Sequence, residues 1–92
     1  MKIKIKFLRP FSDVVGKKEL KIDFNGTTLN DLLVHLVNKY PKLKNEFFLK
    51  NDELAEYICL FVNDKPASAL KGVDTKLKNS DEVLFFVPIS GG

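Results

Sequence analysis

Residues 1–8 alternate strictly, with Ile3, Ile5 and Phe7 on one side and Lys2, Lys4 and Lys6 on the other. A period of two marks a strand with one face on a core and the other toward water. Residues 18–24 repeat the pattern through Leu20, Ile22 and Phe24, which predicts a return strand antiparallel to the first, closed by a turn at Asn25-Gly26. Residues 9–16 read as a connector with a helical turn. The period then changes: Leu29, Leu32, Leu33, Leu36, Val37 and Tyr40 share one face at 3.6 residues per turn, so this segment is the main helix. Thr28 with Asp31 three residues later resembles a capping box at its start. Pro41, which has no amide hydrogen to donate, ends it.

Residues 41–56 are polar around an apolar knot at Phe47-Phe48-Leu49 and predict a surface loop with a short helical turn. Residues 57–62 and 83–87 are continuous apolar runs of strand length, the pattern expected of a strand buried on both faces. Between them, residues 66–70 suggest a short edge strand, and Gly72 opens a polar stretch through Ser80. Two strands, a helix and then two or three more strands predict an α+β fold. The architecture is a β-grasp roll, a mixed sheet of four to five strands gripping one main helix, with the last strand parallel to the first and central. Neither a repeat nor a linker interrupts the chain, so residues 1–92 read as one domain with 88–92 as a flexible tail.

One helix covers only one face of such a sheet. Either Leu84 and Phe86 or else Val83, Phe85 and Val87 must then look away from it, and an exposed apolar patch of that kind usually marks a protein partner. The competing expectation is that residues 41–56 fold over this face with Phe47 and Phe48. Phe85 and Phe86 are adjacent and point to opposite sides of the strand. With Pro88, Ile89 and Ser90 beyond them, they are the candidate partner-binding residues.

Composition narrows the possibilities. With 45% hydrophobic residues, eight of them Phe, the chain is far from the composition of disordered proteins, and at 92 residues it builds one modest core. No apolar run approaches the ~20 residues that cross a bilayer. The N-terminus offers no apolar stretch of a signal peptide either, so the expected location is cytoplasmic, with no membrane partner. Cys59, the single cysteine, has no partner for a disulfide or a thiolate metal site and reads as a buried structural thiol. His35, the single histidine, falls away from the apolar helix face and reads as solvent-exposed. No catalytic set, metal spacing or glycine-rich phosphate loop is present. The expectation is a chain that is no enzyme on its own and binds no metal or cofactor. The net charge of +3 is mild, and the Lys2, Lys4 and Lys6 stripe has no stacking aromatic on its face, so nucleic acid is not an expected partner.

Chemistry concentrates instead in Pro88-Ile89-Ser90-Gly91-Gly92. Two residues without Cβ make the thinnest peptide and accept any backbone angle, so they can thread a narrow cleft. Pro88 holds the chain extended ahead of them. A terminal carboxylate is a poor electrophile, and its use requires activation, most simply as a mixed anhydride with AMP. The acyl group can then pass to sulfide or to an amine. Gly92 is the candidate reacting residue, with Gly91 beside it.

The segments "IKIKFLRPFSDVVG", "TTLNDLL" and "FVND", and above all "LKNSDEVLFFVPISGG", together resemble the small subunit of molybdopterin synthase. This is the MoaD type within the MoaD/ThiS family of ubiquitin-like sulfur carriers, and the likeness spans nearly the whole chain. Val87 stands where that family carries the first of two prolines, and Asn79-Ser80-Asp81 stands where a glycine often sits between acidic residues. The resemblance implies that an adenylating E1-like enzyme of the MoeB type uses ATP and magnesium to activate Gly92. A sulfur donor then converts the acyl-adenylate to a thiocarboxylate. That end enters the large synthase subunit, of the MoaE type, and gives sulfur to the pterin precursor, with the catalytic residues in the partners. Related readings are a thiamin sulfur carrier, which lacks an insert like residues 41–56, and a modifier conjugated to protein lysines. A plain β-grasp binding module is the remaining alternative.

Overall fold

The computed structural model describes residues 1–48 and 58–87. The alternating start forms β1 (Lys2–Phe7), followed by α1 (Phe11–Val15) and β2 (Glu19–Asp23). Next come α2 (Leu29–Lys39) and α3 (Leu43–Phe47), then β3 (Cys59–Val62), β4 (Lys65–Pro66) and β5 (Glu82–Phe86). The sheet runs β2-β1-β5-β3-β4. β5 lies parallel to β1 and antiparallel to β3, and the other two pairs are antiparallel. The last strand is therefore central and parallel to the first, and the fold is the β-grasp roll that the order of periods predicts.

Local chemistry sets the corners. Thr28 and Asp31 form the capping box. The Thr28 hydroxyl oxygen accepts from the Asp31 amide at 3.2 Å, and the amides of Thr27 and Thr28 both donate to the Asp31 carboxylate at 3.0 Å. These donors, Thr27 first, hold the Asp31 carboxyl below its ordinary range. Asn63 and Asp64 both have positive φ, 50° and 68°, which is what a two-residue hairpin between β3 and β4 requires. Asn63 then ties that hairpin to β5: its side chain donates to Asp81 at 2.7 Å and accepts from the Glu82 amide at 2.9 Å.

The core lies between one face of the sheet and the helices. Ile3, Ile5, Phe7, Val83 and Phe85 from the central strands meet Leu29, Leu32, Leu33 and Leu36 of α2, all essentially inaccessible to water. Several expectations are corrected here. The short helical turn expected within residues 41–56 is present as α3, but it is not a surface element: its Leu43 and Phe47 are wholly buried. Phe47 joins the helix side of the sheet, stacked on Phe85 at 5.4 Å and tilted against Phe11 at 5.3 Å. Phe47 thus does not cover the opposite face, and residues 49–56, the remainder of the segment expected there, lie outside the described residues. The edge strand expected at 66–70 is only Lys65–Pro66, after which Ala67–Ala69 turns into a 3-10 helix. Pro66 can donate no ladder hydrogen bond, which accounts for the early stop.

The two continuous apolar strands are not buried on both faces. In β3 and β5 buried residues alternate with half-buried ones, because the helices form a single layer. Cys59 is half-buried and lies on the open face, not in the core. His35 is half-buried rather than solvent-exposed, its ring meeting the edge of Phe24 at 5.9 Å.

Candidate functional site

The side of the sheet away from the helices divides into two halves of different chemistry. On β1 and β2 every lysine of the N-terminal stripe has an acidic partner: Lys2 with Asp23 at 3.5 Å, Lys4 with Glu19 at 2.8 Å and Lys6 with Glu82 at 3.0 Å. These exposed pairs offset the charge of the stripe, while Lys21, beside Lys4 on β2, is exposed on the same face. On β5 and β3 the same face is apolar. Leu84 pairs with Phe61 and Phe86 with Cys59 across the antiparallel ladder, all four half-buried. The rings of Phe61 and Phe86 lie 5.5 Å apart at 37°. Leu8, 52% exposed, extends this strip. Its amide donates to the Phe85 carbonyl at 3.0 Å, and the β1–β5 register carried on by one residue sets it beside Phe86.

The predicted partner residues therefore separate. Phe86 stands on the open face. Phe85 does not: its side chain is 0% exposed, enclosed by Phe7, Phe11 and Phe47, and it serves as core. Adjacent strand residues must point to opposite faces, and the helices cover the one that Phe85 uses. Pro88, Ile89, Ser90, Gly91 and Gly92, including the expected flexible tail, lie outside the described residues. Phe61, Cys59 and Leu8 were not singled out for this face by sequence, yet parity points to them. With Ile3, Ile5 and Phe7 inside, positions 2, 4, 6 and 8 are outside, and pairing with β5 then puts Leu8 next to the apolar half.

Among the described residues no group of three or more His, Cys, Asp or Glu side chains is placed to hold a metal ion. No described helix is long and apolar enough to cross a membrane. What the structure offers is a five-stranded β-grasp domain with a half-apolar open sheet face, whose central strand leads directly into the segment ending in Gly91-Gly92.

That combination defines a small ubiquitin-like carrier or modifier domain. The chain belongs to the ThiS family, whose model matches residues 5–92, the diglycine included. A candidate sulfur carrier protein of Archaeoglobus fulgidus is 28% identical over 85% of this chain and 89% of its own length. Small archaeal modifier protein 3 of Haloferax volcanii is 28% identical over the full length of both chains. The solution structure of small archaeal modifier protein 1 from Methanosarcina acetivorans superposes with a TM-score of 0.86. It is 34% identical and covers 99% of this chain and 96% of its own.

Proposed function

We propose that this chain is a sulfur carrier that works through the carboxylate of Gly92. A partner with ATP and magnesium converts the carboxylate to an acyl-adenylate with release of pyrophosphate. A sulfur donor then displaces AMP to leave a thiocarboxylate. The soft, anionic sulfur of that group is a good nucleophile toward carbon; its attack forms a thioester with the recipient, and hydrolysis of the acyl–sulfur bond by water leaves the sulfur on the recipient and returns the plain carboxylate. In the more specific form of this reading, the recipient is the pterin precursor bound to a MoaE-type large subunit, and the adenylating enzyme is of the MoeB type.

The observation that carries the reading is the continuity between the apolar strip and the reacting end. Phe86 is the last residue of the central strand, and five residues beyond Val87 lead to Gly92. At ~3.3 Å per extended residue, a partner seated on the strip can draw Gly92 up to ~20 Å from the sheet. Binding and chemistry can then occur in different parts of that partner. The buried α3 supports the longer, molybdopterin-type carriers over thiamin-type ones, since Leu43 and Phe47 make it a working part of the core.

The names of the Haloferax and Methanosarcina relatives favour a second reading, in which the same acyl-adenylate passes to a lysine amine of a target protein. Both readings share the first step. Deleting Gly92 is expected to abolish sulfur transfer to the precursor in a reconstituted synthase and to leave the melting temperature unchanged, since a glycine has no side chain to pack. A full-length protein that instead becomes amide-linked to lysines under the same conditions supports the modifier reading. Normal transfer by the Gly92 deletion removes both.

A further inference from the structure

The positive charge of this molecule is unevenly neutralised. On the open sheet face Lys2, Lys4 and Lys6 are each matched by a carboxylate, and Lys21 is the isolated exposed cation beside them among the described residues. At the end of the sheet where β5 exits, the balance is different. Arg9, Lys17 and Lys18 line a shallow depression of about 590 Å³ together with Phe7, Leu8, Ser12, Asp13 and Gly16. Three cations there face one acid, Asp13, which reaches Arg9 Nε at 3.6 Å. All three cations are exposed.

Backbone hydrogen bonds fix this cluster relative to the carrier end. The Phe7 amide donates to the Lys18 carbonyl at 2.8 Å, and the Leu8 amide to the Phe85 carbonyl at 3.0 Å. The depression thus lies one to two strand spacings, roughly 5 to 10 Å, from the point where the chain leaves β5. It borders the apolar strip at Leu8.

We propose that Arg9, Lys17 and Lys18 form a basic rim that docks on an acidic protein surface at the cleft mouth of the adenylating partner. The inference rests on the sulfur-carrier reading above. Its occupant follows from charge and reach. A tail drawn ~20 Å into a cleft carries Gly92, and with it the phosphates of the nucleotide, beyond the range of side chains at the strand exit. What remains within their range is the protein surface around the entrance. Rim charges of this kind speed encounter and fix orientation more than they add final affinity, and their effect is screened by salt.

The test is a triple charge reversal, Arg9→Glu with Lys17→Glu and Lys18→Glu, and its neutral counterpart with Gln at the three positions. Adenylation is read as ATP-dependent pyrophosphate exchange with a MoeB-type enzyme, across a range of ionic strength. The parent is expected to show a KM that rises with salt. The reversed protein should show a KM raised by about tenfold or more at low salt, an unchanged kcat and a flattened salt dependence, with the Gln protein between the two. Circular dichroism should show all three folded, since the side chains are exposed. Equal KM values and equal salt dependence in parent and variants overturn the basic rim while leaving the carrier intact. A parent that is never adenylated removes the carrier reading and the rim with it. Retardation of an RNA oligonucleotide through the same three residues, with no effect on adenylation, also overturns the inference.

Discussion

Phe61 and Phe86, on neighbouring antiparallel strands, set their rings 5.5 Å apart on the face of the sheet that the helices leave open. One residue earlier in the chain, Phe85 is stacked between Phe7 and Phe47 on the other face. Two adjacent phenylalanines thus sit in different environments, and substitutions at them should separate stability from binding. Phe85→Ala is expected to lower unfolding free energy by about 3–5 kcal/mol, the usual cost of emptying a buried aromatic site. Phe86→Asp should leave the fold intact and weaken the complex with the adenylating enzyme or large subunit by tenfold or more, as loss of an aromatic anchor does. Urea unfolding and calorimetric titration check the pair. Unfolding by Phe86→Asp with unchanged affinity in the folded fraction contradicts the assignment.

Ser80 adopts φ 73° while its amide donates to the Lys2 carbonyl at 2.8 Å. The left-handed region costs a residue with a Cβ of the order of 1 kcal/mol, and glycine enters it freely. Ser80→Gly is therefore expected to stabilise the protein by about 0.5–1 kcal/mol, read as a higher urea midpoint with an unchanged slope. A lower midpoint counts against this account.

Asp31 caps α2 in its ionised form. Its folded carboxyl is held below the ordinary 3.8 by the Thr27 and Thr28 amides, so the stability it contributes is present above 3.8 and is lost as pH falls through the lower folded value. The stability difference between the parent and Asp31→Ala should be constant near neutrality and shrink only in acid below about pH 4. Thr28→Ala, which removes the other half of the box, should cost about 1 kcal/mol at neutral pH. Thermal melts as a function of pH check both, and a difference that grows on acidification contradicts the capping role.

Much of this was legible in the chain because periodicity reports which side of an element meets the core. Ile3, Ile5 and Phe7, then Leu20, Ile22 and Phe24, and then the leucines of α2 all lie where their spacing puts them. The apolar strands were harder to read. In Cys59-Leu60-Phe61-Val62 and Val83-Leu84-Phe85-Phe86 both faces are hydrophobic, so composition conceals which one the helices cover. Only pairing with β1, whose polar side is lysine, resolves it. α3 was missed as a core element because Leu43 and Phe47, four apart, are too few to show a helical period amid lysines. The cationic rim went unread for another reason: Arg9 and Lys17-Lys18 lie apart in sequence and meet through the β1–β2 hairpin.

The central claim is that the chemistry of this protein resides in the Gly92 carboxylate. Intact mass spectrometry tests it most directly, after incubation with ATP, magnesium, an adenylating enzyme of the MoeB type and a sulfur source. The account predicts a mass gain equal to exchange of one oxygen for sulfur, confined to the C-terminal peptide and absent without ATP. An unchanged mass with an enzyme that activates its own carrier in parallel contradicts it.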